Sequence, residues 1–269
     1  MDLDLAGRRA LVTGSSSGLG AGVARMLAAE GAQVVVHGRD AARTAAVAAE
    51  IGAAGTALGD LGTDEGADAV ARAALEALGG AIDILVNNAG GGTNGSNTRP
   101  FLEVSVEQWL GTYQTNSLAA LRMIERLVPV MREGGFGRVI QISSAVAVQP
   151  NTQGPDYASA KAAINNMSVN LAHALIGTGI TVNTVSPGVI LTPAMLTWGH
   201  SIAASSGWGE PDDAELERRI ALDRHRLPVG RIGRDEDVAM VVCFLASPRS
   251  GFITGSNYRV DGGQVKSMN

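Results

Sequence analysis

The chain has 269 residues, 45% hydrophobic and 17% charged, with a formal net charge of −5 and no long run of either sign. That balance fits one globular domain spanning 1–269 and excludes the concentrated basic footprint of a nucleic-acid binder. No apolar run approaches the ~20 residues of a membrane helix, and Met1–Leu5 carries acids where a secretory signal carries bases, so a cytoplasmic location is expected.

Arg9–Thr13 reads as a short buried strand and Gly18–Glu30 as an alanine-rich helix. Gln33–His37 is a second strand and Ala41–Ile51 a second helix; a weaker strand over Thr56–Gly59 precedes a helix over Asp64–Leu78. Asp83–Val86 is an apolar strand running into Asn87-Asn88-Ala89-Gly90, after which Gly91–Pro100 reads as an exposed loop. A long helical region over Trp109–Arg132 is followed by a strand at Gly137–Ile142, a helix at Tyr157–Ile176 and a strand at Thr181–Val185. Pro193–Asp213 is irregular, contains Trp198 and Trp208, and follows a strand's carboxyl end, where open α/β sheets bind ligands. It is expected to be a mobile lid, with a plain surface excursion as the alternative. A helix at Asp235–Ala246 and a strand near Tyr258–Val260 close the chain.

Alternating strands and helices predict an α/β fold of the Rossmann type, a doubly wound and mainly parallel sheet of seven strands with helices on both faces. The short Val/Ile/Leu runs lack the alternation of a half-exposed strand, as expected for strands covered on both sides. Cys243, the single cysteine, lies in the apolar run Met240–Ala246 and reads as a core residue.

The first turn, Thr13-Gly14-Ser15-Ser16-Ser17-Gly18-Leu19-Gly20, leads straight into a helix. Glycines at 14, 18 and 20 let a pyrophosphate approach the helix N-terminus, whose free N–H groups and dipole favour anions. The second strand ends at His37-Gly38-Arg39-Asp40. An acid at this tip normally accepts hydrogen bonds from the adenosine ribose 2′-hydroxyl. Gly38 takes that place, and Arg39, with Ser15 or Ser16, suits a 2′-phosphate. NADP(H) is therefore favoured, while Asp40, shifted by one residue, keeps NAD(H) open. Asp60-Leu61 either holds the adenine edge or places Asp60 as a helix cap.

Tyr157 and Lys161, four apart in a helical segment, leave the same face. A tyrosine of ordinary pKa, about 10, is a poor base, and a neighbouring ammonium favours its phenolate, which makes the pair an acid/base unit. Taken alone the spacing also fits a surface pair. Ser143-Ser144 and Asn87–Gly90 end strands at the same sheet edge, and Asn116 lies in the long helical region, where it bends the helix or binds water.

With these residues assembled, the chain resembles the short-chain dehydrogenase/reductase family, in its short single-domain branch, from Leu5 to Gly263. The matching motifs are Thr13–Gly20, Asn87–Gly90, Tyr157-Ala158-Ser159-Ala160-Lys161, Pro187–Thr192, Gly230–Gly233 and Asp261–Gly263. Ser144 falls thirteen positions before Tyr157, the family's usual separation, which favours it over Ser143. The resemblance implies that Tyr157 protonates a carbonyl oxygen as hydride arrives, or deprotonates an alcohol in reverse. By the same resemblance Lys161 lowers the tyrosine pKa and binds the nicotinamide ribose, Ser144 orients the substrate oxygen, and Asn116 holds a water linking Lys161 to solvent. Asn88, Ala89 and Gly90 are implied to contact the cofactor, as are Ile190 and Thr192, with Pro187 and Gly188 beside them. A homotetramer is implied, with the Tyr157–Ile176 helix and the last strand at interfaces. Many relatives carry a glycine three residues after the serine; here Ser144-Ala145-Val146-Ala147 departs from that.

No metal is required by this chemistry, and the four histidines, His37, His173, His200 and His225, are scattered. Pocket walls are expected from Gly91–Asn97, Val146–Gly154 and Pro193–Gly209, with Gln149, Asn151, Gln153 and the two tryptophans. The alternatives are an NAD-dependent alcohol or sugar-alcohol dehydrogenase, a 3-oxoacyl-thioester reductase, and a non-catalytic dinucleotide-binding regulator. A carrier-protein reductase would need a basic docking patch, which the sequence does not assemble. Enoyl reductases of related fold usually space the tyrosine and lysine more widely.

Overall fold

In the computed structural model, which describes residues 2–91 and 99–267, seven strands form one parallel sheet in the order β3-β2-β1-β4-β5-β6-β7. They are β1 (Arg9–Val12), β2 (Gln33–Gly38), β3 (Gly55–Leu58), β4 (Ile84–Asn87), β5 (Gly137–Ile142), β6 (Ile180–Pro187) and β7 (Asn257–Val260). The helices are α1 (Gly18–Ala29), α2 (Ala41–Ile51), α3 (Asp64–Ala77), α4 (Val106–Tyr113), α5 (Ala119–Glu133), α6 (Pro155–Ala174), α7 (Pro193–Ala203), α8 (Asp213–Arg219) and α9 (Asp235–Ala246).

Every residue of β4, β5 and β6 is buried, because helices cover both faces of the sheet. The period-2 geometry of a strand then sorts side chains between two cores. Leu11, Leu85, Val139 and Val182 pack with Val70, Met123 and Leu127 on the face covered by α3, α5 and α6. Ala10, Val12, Val86 and Ile140 pack with Val23, Leu27, Val238 and Val242 beneath α1 and α9. Each fully buried aliphatic side chain stabilises the fold by about 1.5–3 kcal/mol. The order of strands reverses between β1 and β4, so the carboxyl ends of these two strands bound a crevice of the kind that binds nucleotides.

At the amino end of β4, Asp83 ties the sheet's base. Its carboxylate accepts from Arg9 N–H, Nε and Nη2, each at 2.9 Å. Burial alone would raise its pKa, but the hydrogen bonds from Arg9, with the charge of Arg8 nearby, outweigh burial and hold it below the ordinary carboxylate range.

Two segments differ from the sequence reading. The long helical region starts earlier, because Ser105 and Gln108 form a capping box, and it is interrupted by a π turn over Gln114–Leu118 that carries Asn116. The expected irregular insertion holds α7, capped by Thr192 and begun by Pro193, and runs into α8, capped by Asp212. These helices have a core of their own, Leu216, Ile220, Ala221, Leu227 and Ile232. His200 Nε2 lies 2.7 Å from an Asp213 carboxylate oxygen and joins the two helices. Among the described residues, no helix is long and apolar enough to cross a membrane.

Candidate active site

The turn after β1 is braced from three sides. Gly14 has φ +66°, and a Cβ there would lie 2.9 Å from the Ala89 Cα. The N–H groups of Asn88 and Ala89 donate to Thr13 Oγ1, both at 2.9 Å, and Asn88 Nδ2 donates to the carbonyls of Thr13 (3.0 Å) and Gly14 (3.2 Å). A side chain at Gly20 would run into Asn88 Nδ2 and the Gly14 carbonyl. Ser17, the N-cap of α1, makes no side-chain cap, so the anion-favouring end of the helix lies at the cleft.

That cleft has a volume of about 350 Å³. Gly14, Ser16 and Ser17 line it from the first turn, and Gly38 and Arg39 from the end of β2. Asp60 and Leu61 line it from the end of β3, and Ala89 and Gly90 from the end of β4. Sequence reasoning missed His37, Arg43, Gly59, Gly62 and Thr115, which line it as well, together with Gly91. Arg43 follows Arg39 by four residues across the start of α2, a spacing that was readable.

Asp40 is not in the wall: it caps α2, its Oδ1 accepting from Arg43 N–H at 2.9 Å. Gly38 has no room for the acid that an NAD-type site carries, since a Cβ there would lie 2.7 Å from Ser16 Oγ. Asp60 is no helix cap either; Thr63 caps α3, and Asp60 Oδ1 accepts from Gly62 N–H at 2.9 Å within the loop.

Tyr157 and Lys161 share a face of α6, which opens with Gly154 in the left-handed region (φ +63°) and Pro155 in the first turn. Lys161 is 3% exposed, and its Nζ donates to the Ile142 carbonyl at 2.9 Å and stands 5.6 Å from the centre of the Tyr157 ring. Burial pushes Lys161 down to about 8, so most of it is still protonated at pH 7. Burial raises the Tyr157 pKa, and a hydrogen bond with Ser144 opposes the rise. Tyr157 is thus a phenol in the resting enzyme. Ser143 serves elsewhere, its Oγ donating to the Lys161 carbonyl at 3.0 Å.

Asn116 is fully buried, and its side-chain amide is engaged with the backbone. Nδ2 donates to the carbonyls of Thr112 (2.8 Å) and Gly91 (2.9 Å), while Oδ1 accepts from Gly91 N–H at 3.0 Å. A Cβ on Gly90 would lie 2.5 Å from Asn116 Oδ1 and 3.4 Å from Lys161 Nζ, which places all three at one spot. Thr112 Oγ1 donates to the buried Asp156 carboxylate at 2.5 Å and fastens α4 to the start of α6.

Gly18, Leu19, Gly20, Asn88, Pro187, Gly188, Ile190 and Thr192 do not line the cleft. Thr192 caps α7, accepting from Met195 N–H at 3.1 Å, and Ile190 bridges Gly233, which accounts for the Gly230–Gly233 motif. Of the expected pocket walls, 92–97 lies outside the described residues. Gln149 Oε1 accepts from Lys266 N–H at 2.9 Å, and Trp198 and Trp208 pack against the cluster of Leu216, Ile220 and Ala221. Among the described residues, no group of His, Cys, Asp or Glu side chains is arranged to hold a metal ion.

A glycine-rich turn at the sheet's switch point, with a tyrosine–lysine pair on the carboxyl edge, defines the class: NAD(P)-dependent oxidoreductases of CH–OH and carbonyl groups. A family model described as enoyl-(acyl carrier protein) reductase matches residues 14–264. The uncharacterized oxidoreductase YvaG of Bacillus subtilis is 34% identical over the full length of both chains. The 3-oxoacyl-[acyl-carrier-protein] reductase FabG of Vibrio cholerae is 30% identical, covering 97% of this chain and 98% of that protein. L-Sorbose reductase from Gluconobacter frateurii, solved with NADPH and L-sorbose, superposes with a TM-score of 0.90 at 35% identity over all of both chains. The chain belongs to the short-chain dehydrogenase/reductase family.

Proposed function

We propose that this enzyme reduces a ketone to a secondary alcohol at the expense of NADPH, and oxidises the alcohol when NADP⁺ is supplied. The observation that carries the cofactor choice is the wall of the cleft, where Arg39 and Arg43 stand together, Gly38 leaves no room for an acid and Asp40 is engaged as a cap. The cradle fits a dinucleotide, since Gly14, Ser16 and Ser17 line it beside the uncapped start of α1, whose free N–H groups favour a pyrophosphate.

NADPH, when bound, supplies the hydride that the carbonyl carbon receives. Tyr157 donates its phenolic proton to the carbonyl oxygen, and Ser144 hydrogen-bonds that oxygen as charge develops. The ammonium of Lys161 stabilises the phenolate left behind and, by family resemblance, holds the nicotinamide ribose. Asn116 fixes Gly91, which follows Gly90 beside Lys161. Tyr157 and Lys161 stand four positions apart, a spacing that argues against enoyl reduction.

The substrate class is a small hydroxylated ketone. Full-length similarity to L-sorbose reductase supports this, as do Asn151 and Gln153, both exposed on the segment after Ser144. A 3-oxoacyl thioester is the second reading, favoured by similarity to the carrier-protein reductases. The test is absorbance at 340 nm with NADPH and NADH over ketoses, simple ketones and 3-oxoacyl thioesters. Turnover of thioesters alone would replace the first reading with the second.

A cytoplasmic homotetramer completes the proposal, built through α6 and the free edge of β7, near which Val169, Ile176 and Phe252 are exposed. A monomeric mass by light scattering would overturn it.

A further inference from the structure

Resting on the dinucleotide reading of the cleft, we propose that His37 is a positioning residue: its imidazole, protonated on Nε2 only, pins the phosphate-binding turn to the β3–α3 loop and sets the adenosine end of the cleft. The ring spans both lips. Gly14 N–H donates to Nδ1 at 2.8 Å, so Nδ1 carries no proton; Nε2–H therefore donates to the Gly59 carbonyl, 3.2 Å away. The backbone of His37 reinforces the first contact. Its N–H donates to Ser15 Oγ at 3.0 Å, and its carbonyl accepts from Ser15 N–H at 2.9 Å. Gly59 N–H in turn donates to the Gly38 carbonyl at 3.3 Å.

No other described side chain hydrogen-bonds both to Gly14 in the first turn and to Gly59 at the end of β3. The geometry also decides which amides meet the phosphates. Gly14 N–H is turned into the ring, and the amides at the start of α1 remain for the anion.

The arrangement works for one protonation state. A proton on Nδ1 would place two donors face to face and release Gly14. Burial at 3% exposure opposes that charge and holds His37 down at about 4. The groups facing it act in opposite senses: Arg39 beyond the tip of β2 disfavours the imidazolium, whereas Asp60 on the β3–α3 loop favours it. Asp40 and Arg43, at the start of α2, are engaged with each other at 3.4 Å, and the turn Thr13–Ser17 contributes no titratable side chain.

The test uses calorimetric binding of NADP⁺, which survives acid, alongside the kinetics of NADPH oxidation. His37→Leu keeps the apolar bulk and removes both ring hydrogen bonds. It should weaken NADP⁺ binding about 10-fold or more and raise KM for NADPH, with kcat at saturation nearly unchanged. His37→Asn, whose Oδ1 reproduces the Nδ1 acceptor, should restore binding to within about 3-fold of wild type. Wild-type affinity should also fall more steeply than that of His37→Asn between pH 5 and 3.5, the range that brackets the value of about 4 held by His37. Thermal melts identify a His37→Leu chain that fails to fold, in which case the asparagine variant and its pH profile decide. Equal affinity in wild type and His37→Leu, or parallel pH profiles for wild type and His37→Asn, overturns the proposal alone. Failure of the wild type to bind NADP⁺ or NAD⁺ overturns the dinucleotide reading and the proposal with it.

Discussion

Replacing Arg39 with alanine should weaken NADPH and leave NADH almost untouched. Arg39 lines the cleft with Ser16 and Arg43, and nothing at Gly38 competes for the ribose. A hydrogen bond to a charged partner contributes about 1.5–3 kcal/mol. The cleft is open to solvent, so screening moves the expected loss to about 1.5–2.5 kcal/mol. That corresponds to roughly a 10- to 60-fold rise in KM for NADPH. Arg43 alone should matter less, because its guanidinium lies 3.4 Å from the Asp40 carboxylate; the double variant should nonetheless exceed Arg39→Ala. Added salt should erode the NADPH advantage of the wild type and leave that of the double variant unchanged. Initial rates at 340 nm with both coenzymes measure all of this. Equal losses for NADPH and NADH, or no loss for either, would refute the reasoning that this wall reads a 2′-phosphate.

Three further outcomes follow from the geometry. The folded value of His37, about 4, lies below its ordinary 6.5, so the unfolded chain takes up the proton first as pH falls. Its contribution to stability is whole above pH 6.5 and is lost between 6.5 and 4, by at most ~3 kcal/mol; urea midpoints that fall with pH equally in wild type and His37→Asn would contradict this. Asp83→Asn should cost about 2–4 kcal/mol and several degrees of Tm while leaving KM for NADPH unchanged, because Asp83 braces Arg9 at the edge of the sheet away from the cleft; a Tm within a degree of wild type would argue otherwise. If α7 closes over substrate as proposed, tryptophan fluorescence should change on forming the ternary complex, since Trp198 lies on α7 and packs with Trp208 against one apolar cluster; an unchanged spectrum counts against a substrate-covering lid.

Much of this architecture is legible in the sequence because it rests on local rules. Short β-branched runs mark strands covered on both faces, and glycines at 14 and 20 mark a backbone that other elements approach closely. The tyrosine–lysine spacing declares a shared helical face. What stayed hidden depends on tertiary contacts or on caps. The helices of the insertion lie among small residues and glycines, and Thr192 and Asp212 act as caps only once Met195 and Glu215 fold back to them. Asp40 reads equally well as a ribose acceptor until its contact with Arg43 N–H makes it a cap. His37 looked like one of four scattered histidines, since Gly14 and Gly59 reach it only across two crossovers. Gln149, expected in the substrate wall, instead holds Lys266, from the far end of the chain.

The most direct test of the central claim is turnover by Tyr157→Phe with NADPH and the best ketone, measured beside NADPH affinity. Loss of the phenolic proton donor should lower kcat at least ~100-fold with the dissociation constant of NADPH unchanged. A variant that turns over at the wild-type rate would contradict the assignment of Tyr157 as the acid/base and, with it, the mechanism proposed for this site.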